Sequence, residues 1–182
     1  AAYEQEIESL KQRIADAVHV LTGLYVHGEQ TWCQNVGQPL HRATIDGMLS
    51  PLAEASIDDI DALLEVKTTG VGVRPSWDAW AAQCQWQMWC TGMPRALIAW
   101  ATIDDTDDTF VDLRHRWVDR DEFLIDTLVE LATMLWGHVT DGTLPEPTSP
   151  SALDVVKEVN AIADLDALPV DEAVAAGELG LP

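Results

Sequence analysis

The chain has 182 residues, with 31 acidic against 10 basic side chains, a formal net charge of −21 and a hydrophobic content of 47%. This length suits one domain, and the hydrophobic content, with eight tryptophans, supports a packed core and excludes a wholly disordered polymer. The excess of acid argues against a protein that coats nucleic acid with its whole surface, because such binding depends on many Lys and Arg side chains. Any contact with nucleic acid must therefore come from a local site.

The sequence contains no membrane or disulfide signature. No stretch reaches the roughly 18 uninterrupted apolar residues of a membrane span, and the acidic N-terminal segment is unlike a signal peptide, so we expect a cytoplasmic protein. Cys33, Cys84 and Cys90 are odd in number and form no Cys-x-x-Cys pair. This pattern disfavours a disulfide framework, a zinc ribbon and a four-cysteine cluster, and it predicts reduced, buried thiols.

The first half of the chain changes from a helical to a strand-like pattern. Apolar residues at helical spacing predict an amphipathic helix over 3–22, ended by Gly23. From 24 to 52 the apolar runs are short and separated by Gly and Pro, which is typical of strands joined by turns. A polar connection over 53–61 then leads to an alternating segment, 62–69, that predicts a strand.

The second half repeats the alternation of helix and strand. The predicted elements are a helix over 76–90, strands over 95–103 and 109–118, and a helix over 119–139. This order predicts an α/β domain with a small mixed β-sheet flanked by helices. The Pro-rich segment 145–150 predicts a boundary, so we expect a compact domain over 1–147 and an acidic extension over 148–182.

One strand carries residues suited to chemistry. In the segment Glu65-Val66-Lys67, the side chains of Glu65 and Lys67 share one face of the strand while Val66 lies on the other. If Asp46, at the end of a neighbouring predicted strand, lies alongside, two carboxylates form a hard-oxygen site suited to Mg²⁺ or Mn²⁺. The alternative is a solvated Glu/Lys pair on an edge strand.

The helix that follows this strand is rich in amides. At about 100° per residue, Gln83 and Gln87 share one face and Gln85 lies nearly opposite. Buried glutamines usually hydrogen-bond within a core, and they also orient water or phosphate beside a metal. The tryptophans of this helix are expected in a core or an interface rather than in base stacking.

Three ordered motifs carry a family resemblance. They are Ala43-Thr-Ile-Asp-Gly-Met48, Leu64-Glu-Val-Lys-Thr-Thr69 and Gln83-x-Gln85-x-x-Met88-x-x-Thr91-Gly92. Together they resemble the phage lambda exonuclease and YqaJ-type viral recombinase family of PD-(D/E)XK nucleases. The likeness covers roughly residues 1–147, including a closing segment over 117–122 and its helix. It implies a PD-(D/E)XK, restriction-endonuclease-like core.

The resemblance implies a divalent-metal-dependent deoxyribonuclease, in phage-type recombination a 5′-to-3′ exonuclease acting on double-stranded DNA ends. Asp46 and Glu65 would ligate Mg²⁺ or Mn²⁺, with the backbone carbonyl of Val66 completing the set. Lys67 would orient or activate water and stabilise developing negative charge. Gln83 would hold Lys67 or the water.

Further assignments follow from the same resemblance. Glu4 is the candidate for an additional acidic metal ligand on the first helix, with Glu8 as an alternative. Arg42, Arg74 and Gln85 are candidates for contacts with DNA. The part of the family pattern that precedes the first helix has no counterpart in the sequence. The family also implies a homotrimer and a single-strand annealing protein as partner.

Two rival interpretations stay open. One is a catalytically inactive nuclease-fold protein that acts as a binding or assembly module, which the acidic charge favours. The other is an endonuclease of the same superfamily. A nuclease with this net charge requires a locally positive mouth of the DNA-binding groove. The arginines that could form this mouth are Arg42, Arg74, Arg114, Arg116 and Arg120.

Overall fold

Helices and strands alternate along the chain in the computed structural model, which describes residues 2–28, 30–104 and 109–143, with side chains over 12–28, 30–102 and 113–143. The elements are α1 (Ala2–Thr22), β1 (Tyr25–His27), β2 (Thr31–Gln34), β3 (Arg42–Ile45), β4 (Gly47–Ser50), β5 (Ala62–Gly70), α2 (Trp77–Thr91), β6 (Arg95–Asp104), β7 (Thr109–Asp119) and α3 (Glu122–Asp141). A short 3-10 turn, Ile57–Asp59, interrupts the connection before β5.

Five strands form one mixed sheet in the order β1-β4-β5-β6-β7. Only β5 and β6 pair in parallel, and α2 makes the crossover between them, as a parallel connection requires. Strands β2 and β3 form a separate antiparallel hairpin. The predicted small mixed sheet flanked by helices is therefore confirmed.

The two faces of the sheet are covered by different helices. On one face, Ile14 and Val18 of α1 pack against Leu64 of β5. On the other face, Cys84 and Met88 of α2 join the buried side chains of the same sheet. Because side chains alternate along a strand, β5 presents Leu64 and Val66 to α1 and its intervening residues to α2.

The β2–β3 hairpin is held against α2 through indole groups. Trp86 donates its Nε1–H to the carbonyl of Arg42 at 2.9 Å, and Trp89 donates to Nδ1 of His41 at 2.9 Å. At the start of α2, the rings of Trp77 and Trp80 pack edge-on 5.2 Å apart. The tryptophans of this helix thus pack within the fold, as the sequence predicts.

Helix ends follow local capping chemistry. Asp121 accepts a hydrogen bond from the backbone N–H of Leu124 at 3.1 Å and so fixes the start of α3 at Glu122, three residues later than the sequence predicts. Gly92 and Gly142 end α2 and α3 with φ of 78° and 63°, a conformation that favours glycine. Among the described residues, no helix is long and apolar enough to cross a membrane.

The cysteines form no disulfide. Cys84 and Cys90 are buried, Cys33 is half-buried, and burial raises the pKa of the Cys90 thiol to about 11. The prediction of reduced thiols is confirmed, and two of the three are buried. The predicted domain boundary and the extension over 148–182 lie outside the described residues.

Candidate active site

Asp46 occupies the one-residue step between β3 and β4, where the chain leaves the hairpin and enters the sheet. The next residue, Gly47, pairs with Leu64 of β5. A Cβ atom at Gly47 would approach Cγ1 of Val26 to 2.8 Å, so the close packing of β1, β4 and β5 requires glycine here. The Asp-Gly pair of the sequence motif therefore has a packing cause as well as a chemical one.

Both carboxylate oxygens of Asp46 are oriented by the protein. Oδ2 accepts the backbone N–H of Val66 at 2.8 Å, and Oδ1 accepts Nε2–H of Gln30 at 2.8 Å. Gln30 has a φ of 52°, the one positive φ at a non-glycine residue in the described chain. Since the N–H and C=O of one strand residue point to the same edge, the Val66 carbonyl lies on the edge that Asp46 faces.

Glu65 and Lys67 project from β5 toward α2 and meet Gln83 there. Lys67 Nζ lies 2.5 Å from Oε1 of Glu65 and donates to Oε1 of Gln83 at 2.8 Å. Gln83 Nε2–H in turn donates to the same Oε1 of Glu65 at 2.6 Å. The three side chains thus close a ring in which Gln83 fixes both the ammonium and the carboxylate.

The second oxygen of Glu65 is held from the core side. Gln87 donates its Nε2–H to Oε2 of Glu65 at 2.6 Å and to the carbonyl of Thr44 at 3.2 Å. Glu65 itself is only 2% exposed. Burial is the main cause that raises its pKa; the hydrogen bonds from Lys67 and Gln87 act against it, and the charge of Asp46 adds to it.

These residues fit a divalent metal ion by donor chemistry. Two carboxylates whose negative charges repel each other are both stabilised by a cation bound between them. Mg²⁺ prefers oxygen donors and keeps several water molecules as ligands. Within the described part of the chain, no group of three or more His, Cys, Asp or Glu side chains could hold a metal ion. The side chain of Glu4 and that of Glu8, both in α1, lie outside the described side chains.

Beside Asp46 lies a cavity of about 160 Å³ between α1 and the edge of β5. Ile14 and Val26 give it apolar walls, and Gln30 and Asp46 give it polar ones. A space of this size holds several water molecules. The Asp46 carboxylate, which accepts the N–H of Val66 at the edge of β5, therefore also borders this cavity.

The structure does not place Gln85 at a surface that DNA could reach. Gln85 is 2% exposed, donates to the carbonyl of Asp119 at 2.8 Å and accepts the N–H of Asp121 at 2.9 Å. Both ends of its amide join α2 to the turn between β7 and α3. The expectation of a DNA contact is wrong for this residue because its polar atoms are used inside the fold.

Two of the five arginines predicted for a positive surface are engaged within the fold. Arg116 is buried, with its guanidinium 4.8 Å from the ring centre of Trp77, and Arg120 donates to the carbonyl of Met88 and to Glu122. Arg42 is exposed on the hairpin, with its guanidinium 5.1 Å from the ring centre of Trp32. Arg74 is exposed in the connection between β5 and α2. Arg42 and Arg74 remain the candidates for phosphate contacts.

Two residues of the site were not assigned from the sequence. Gln30 has no recognisable signal, because its role depends on a positive φ in a turn. Gln87 had a signal, since it shares the helix face of Gln83, but its partner Glu65 is contacted only through the packing of α2 on β5.

No family model matches the sequence, and no curated protein matches it. Similar solved structures include two exonucleases. The phage-related exonuclease of Haemophilus somnus 129PT is 15% identical with a TM-score of 0.51, over 70% of this chain and 66% of that one. The alkaline exonuclease LHK-Exo of Laribacter hongkongensis is 17% identical with a TM-score of 0.50, over 86% of this chain and 72% of that one. The chain thus has the α/β fold of the phage-related and alkaline exonucleases.

Proposed function

We propose that this protein is a divalent-metal-dependent deoxyribonuclease that degrades double-stranded DNA from its ends in the 5′-to-3′ direction, in phage-type recombination. The observation that carries the proposal is that Asp46, from the step between β3 and β4, bonds to the backbone of β5 between Glu65 and Lys67, and that Gln83 of α2 bonds to both of those side chains. The shared fold with two exonucleases supports the same activity class.

The chemistry of phosphodiester hydrolysis matches these groups. The reaction needs a hydroxide nucleophile and neutralisation of the negative charge that grows on the phosphorus oxygens. Asp46, Glu65 and the Val66 carbonyl would hold Mg²⁺ or Mn²⁺, which when bound makes hydroxide available near neutral pH and offsets that charge.

Lys67 supplies the second positive charge. Its side chain is 22% exposed, and Gln83 and Glu65 hold its ammonium group. An ammonium keeps three donors, and the protein uses two of them. The third is available to hold the attacking water or a phosphate oxygen. Gln83 keeps the ammonium in place through its Oε1.

A second candidate function is a nuclease-fold binding or assembly module without activity. Two observations favour it: the net charge of −21, and the engagement of both Glu65 carboxylate oxygens by protein N–H groups. In this reading the ring of Glu65, Lys67 and Gln83 contains a partly buried ion pair that serves packing.

A digestion assay separates these functions. Linear duplex DNA labelled at the 5′ or the 3′ end is incubated with the protein and Mg²⁺ or Mn²⁺, with a chelator as control and closed circular duplex as a parallel substrate. The proposal predicts metal-dependent release of 5′ label from linear DNA and intact circular DNA. Cleavage of the circle would indicate an endonuclease, and no digestion of either substrate would favour the binding module.

The proposed partners have separate tests. Exposed apolar side chains of α3, including Leu135, Trp136 and Val139, border a groove toward Leu40 and Trp86. Such a surface supports the expected homotrimer. Light scattering coupled to size exclusion gives the subunit number, and a pull-down with a phage single-strand annealing protein tests that association. The cytoplasmic location stays a prediction.

A further inference from the structure

Gln87 is the one amide of α2 that contacts both segments of the candidate metal site. Its Nε2 lies 2.6 Å from Oε2 of Glu65 on β5 and 3.2 Å from the carbonyl oxygen of Thr44 on β3. Thr44 precedes Asp46 by two residues on the segment that ends in that carboxylate. One amide nitrogen therefore ties the two acidic segments together.

The orientation of this amide follows from its surroundings. The groups that it faces, a carboxylate oxygen and a backbone carbonyl, are both acceptors. Only an NH₂ group can satisfy two acceptors at once, because each of its hydrogens serves one of them. The opposite orientation would set a carbonyl oxygen against two others, so the contacts of Gln87 with Glu65 and Thr44 are the favourable ones.

Packing alone does not account for this residue. Gln87 is 1% exposed, and its Oε1 is a buried oxygen with no hydrogen-bond partner among the described residues. A buried polar atom without a partner is costly, and a methionine of similar length would fill the same space without that cost. A methionine would lack the two hydrogen bonds that Gln87 donates to Glu65 and to the carbonyl of Thr44.

We propose that Gln87 is a positioning residue of the metal site, which holds the Glu65 carboxylate at a fixed place relative to the segment of Asp46. This inference rests on the proposed function. The two amides have different partners: Gln83 is exposed and contacts Lys67 and Oε1 of Glu65, whereas Gln87 is buried and contacts Oε2 of Glu65 and the carbonyl of Thr44. Residues that orient ligands from behind typically change metal affinity about 10- to 100-fold when they are removed.

The experiment measures Mn²⁺ binding by isothermal titration in the full chain, together with the Mn²⁺ concentration that gives half-maximal digestion of linear duplex. Gln87→Met removes the amide and keeps the length of the side chain. We expect a folded variant whose Mn²⁺ dissociation constant rises about 10- to 100-fold, with digestion largely recovered at high Mn²⁺. Recovery by metal is a readout that loss of packing alone would not give.

Gln85→Met is the matched control, because Gln85 is equally buried on the opposite face of α2 and bonds only to backbone atoms of 119 and 121. It should leave Mn²⁺ affinity within about 2-fold of wild type. Gln87→Asn, whose shorter side chain cannot span both acceptors, is a second variant that should reproduce the loss of affinity.

Each outcome has a defined meaning. Wild-type Mn²⁺ affinity in a folded Gln87→Met variant would overturn the positioning role while leaving the nuclease function intact. Failure of both variants to fold would assign Gln87 to folding and would also overturn it. If the wild-type protein binds no Mn²⁺ and digests no DNA, the proposed function itself fails, which is seen before any variant is compared.

Discussion

Glutamine residues lie on both faces of α2, but they bind different kinds of partner on each face. On the face toward β5, Gln83 and Gln87 bind the charged side chains Glu65 and Lys67. On the opposite face, Gln85 binds only backbone atoms in the turn that leads to α3. The difference lies in the partner of each amide, which is a charged side chain of the candidate site on one face and the backbone on the other, and neither residue type nor helical spacing reveals it.

The comparison also separates activity from stability. On the β5 face, Gln83 and Lys67 are partly exposed. Substitution of either side chain should therefore reduce the free energy of unfolding only slightly. Removal of Gln85 leaves the carbonyl of Asp119 and the N–H of Asp121 without the amide that bonds to them. Variants on the two faces should therefore fail in different assays, and the following experiments test that division.

Loss of Lys67 should have the largest effect. Lys67→Ala removes the ammonium beside Glu65 and should lower the rate of metal-dependent digestion by at least about 100-fold, as loss of a charge-stabilising donor commonly does. Circular dichroism should show an intact fold. Thr68→Ala, the next residue on the same strand with its side chain on the other face, is the control. Equal activity of the two variants would contradict the assigned chemistry.

The stability effect should appear on the other face. Gln85→Met leaves the carbonyl of Asp119 and the N–H of Asp121 without their partner and should reduce the free energy of unfolding by about 1–3 kcal/mol. Gln83→Met, at an exposed position, should reduce the free energy of unfolding less than Gln85→Met does, and it should reduce the rate of digestion more. Urea unfolding and digestion, measured on both variants, give the comparison; the reverse pattern would show that the faces are not divided in this way.

Much of this arrangement could be predicted from the sequence. The order of helices and strands, the shared face of Glu65 and Lys67, and the opposite faces of Gln83 and Gln85 all follow from local periodicity. Periodicity could not predict which residues of other helices and strands these side chains bind. The burial of Gln85 against the β7–α3 turn and the grip of Gln87 on Glu65 depend on how α2 packs on the sheet.

The turn at Gln30 and the arginines show the same limit. A positive φ at Gln30 is set by the β1–β2 connection, and its bond to Asp46 spans 16 positions of sequence. The prediction of an arginine mouth was wrong for Arg116 and Arg120, because one is buried at Trp77 and the other is bound to Met88 and Glu122. Charge can be counted along a sequence, whereas burial requires the fold.

A pH series sharpens the electrostatic side of the comparison. Burial raises the folded-state pKa of Glu65, so the folded protein binds this proton more tightly than the unfolded chain does. Stability in the absence of metal therefore falls as pH rises from the ordinary carboxyl pKa through the raised one. The free energy of unfolding of Glu65→Gln minus that of wild type should accordingly grow over this window. A difference that does not change with pH would show that Glu65 is not perturbed.

The smallest effect should come from the exposed arginine of the hairpin. If Arg42 contacts one phosphate, Arg42→Ala should reduce the log–log slope of DNA affinity against salt by about 0.9. Arg120→Ala is the basic control, because its guanidinium is already bound to Met88 and Glu122. Affinities measured by fluorescence anisotropy over a salt series give both slopes. An unchanged slope for Arg42→Ala would remove this residue from the DNA surface.

The central claim is that Asp46 and Glu65 share one divalent ion. Isothermal titration of Mn²⁺ into the wild-type protein and into Asp46→Asn and Glu65→Gln tests it directly. The account predicts one Mn²⁺ site in wild type and an affinity at least about 10-fold weaker in each single variant. Binding of Mn²⁺ with wild-type affinity by either variant would contradict it, since one carboxylate would then suffice.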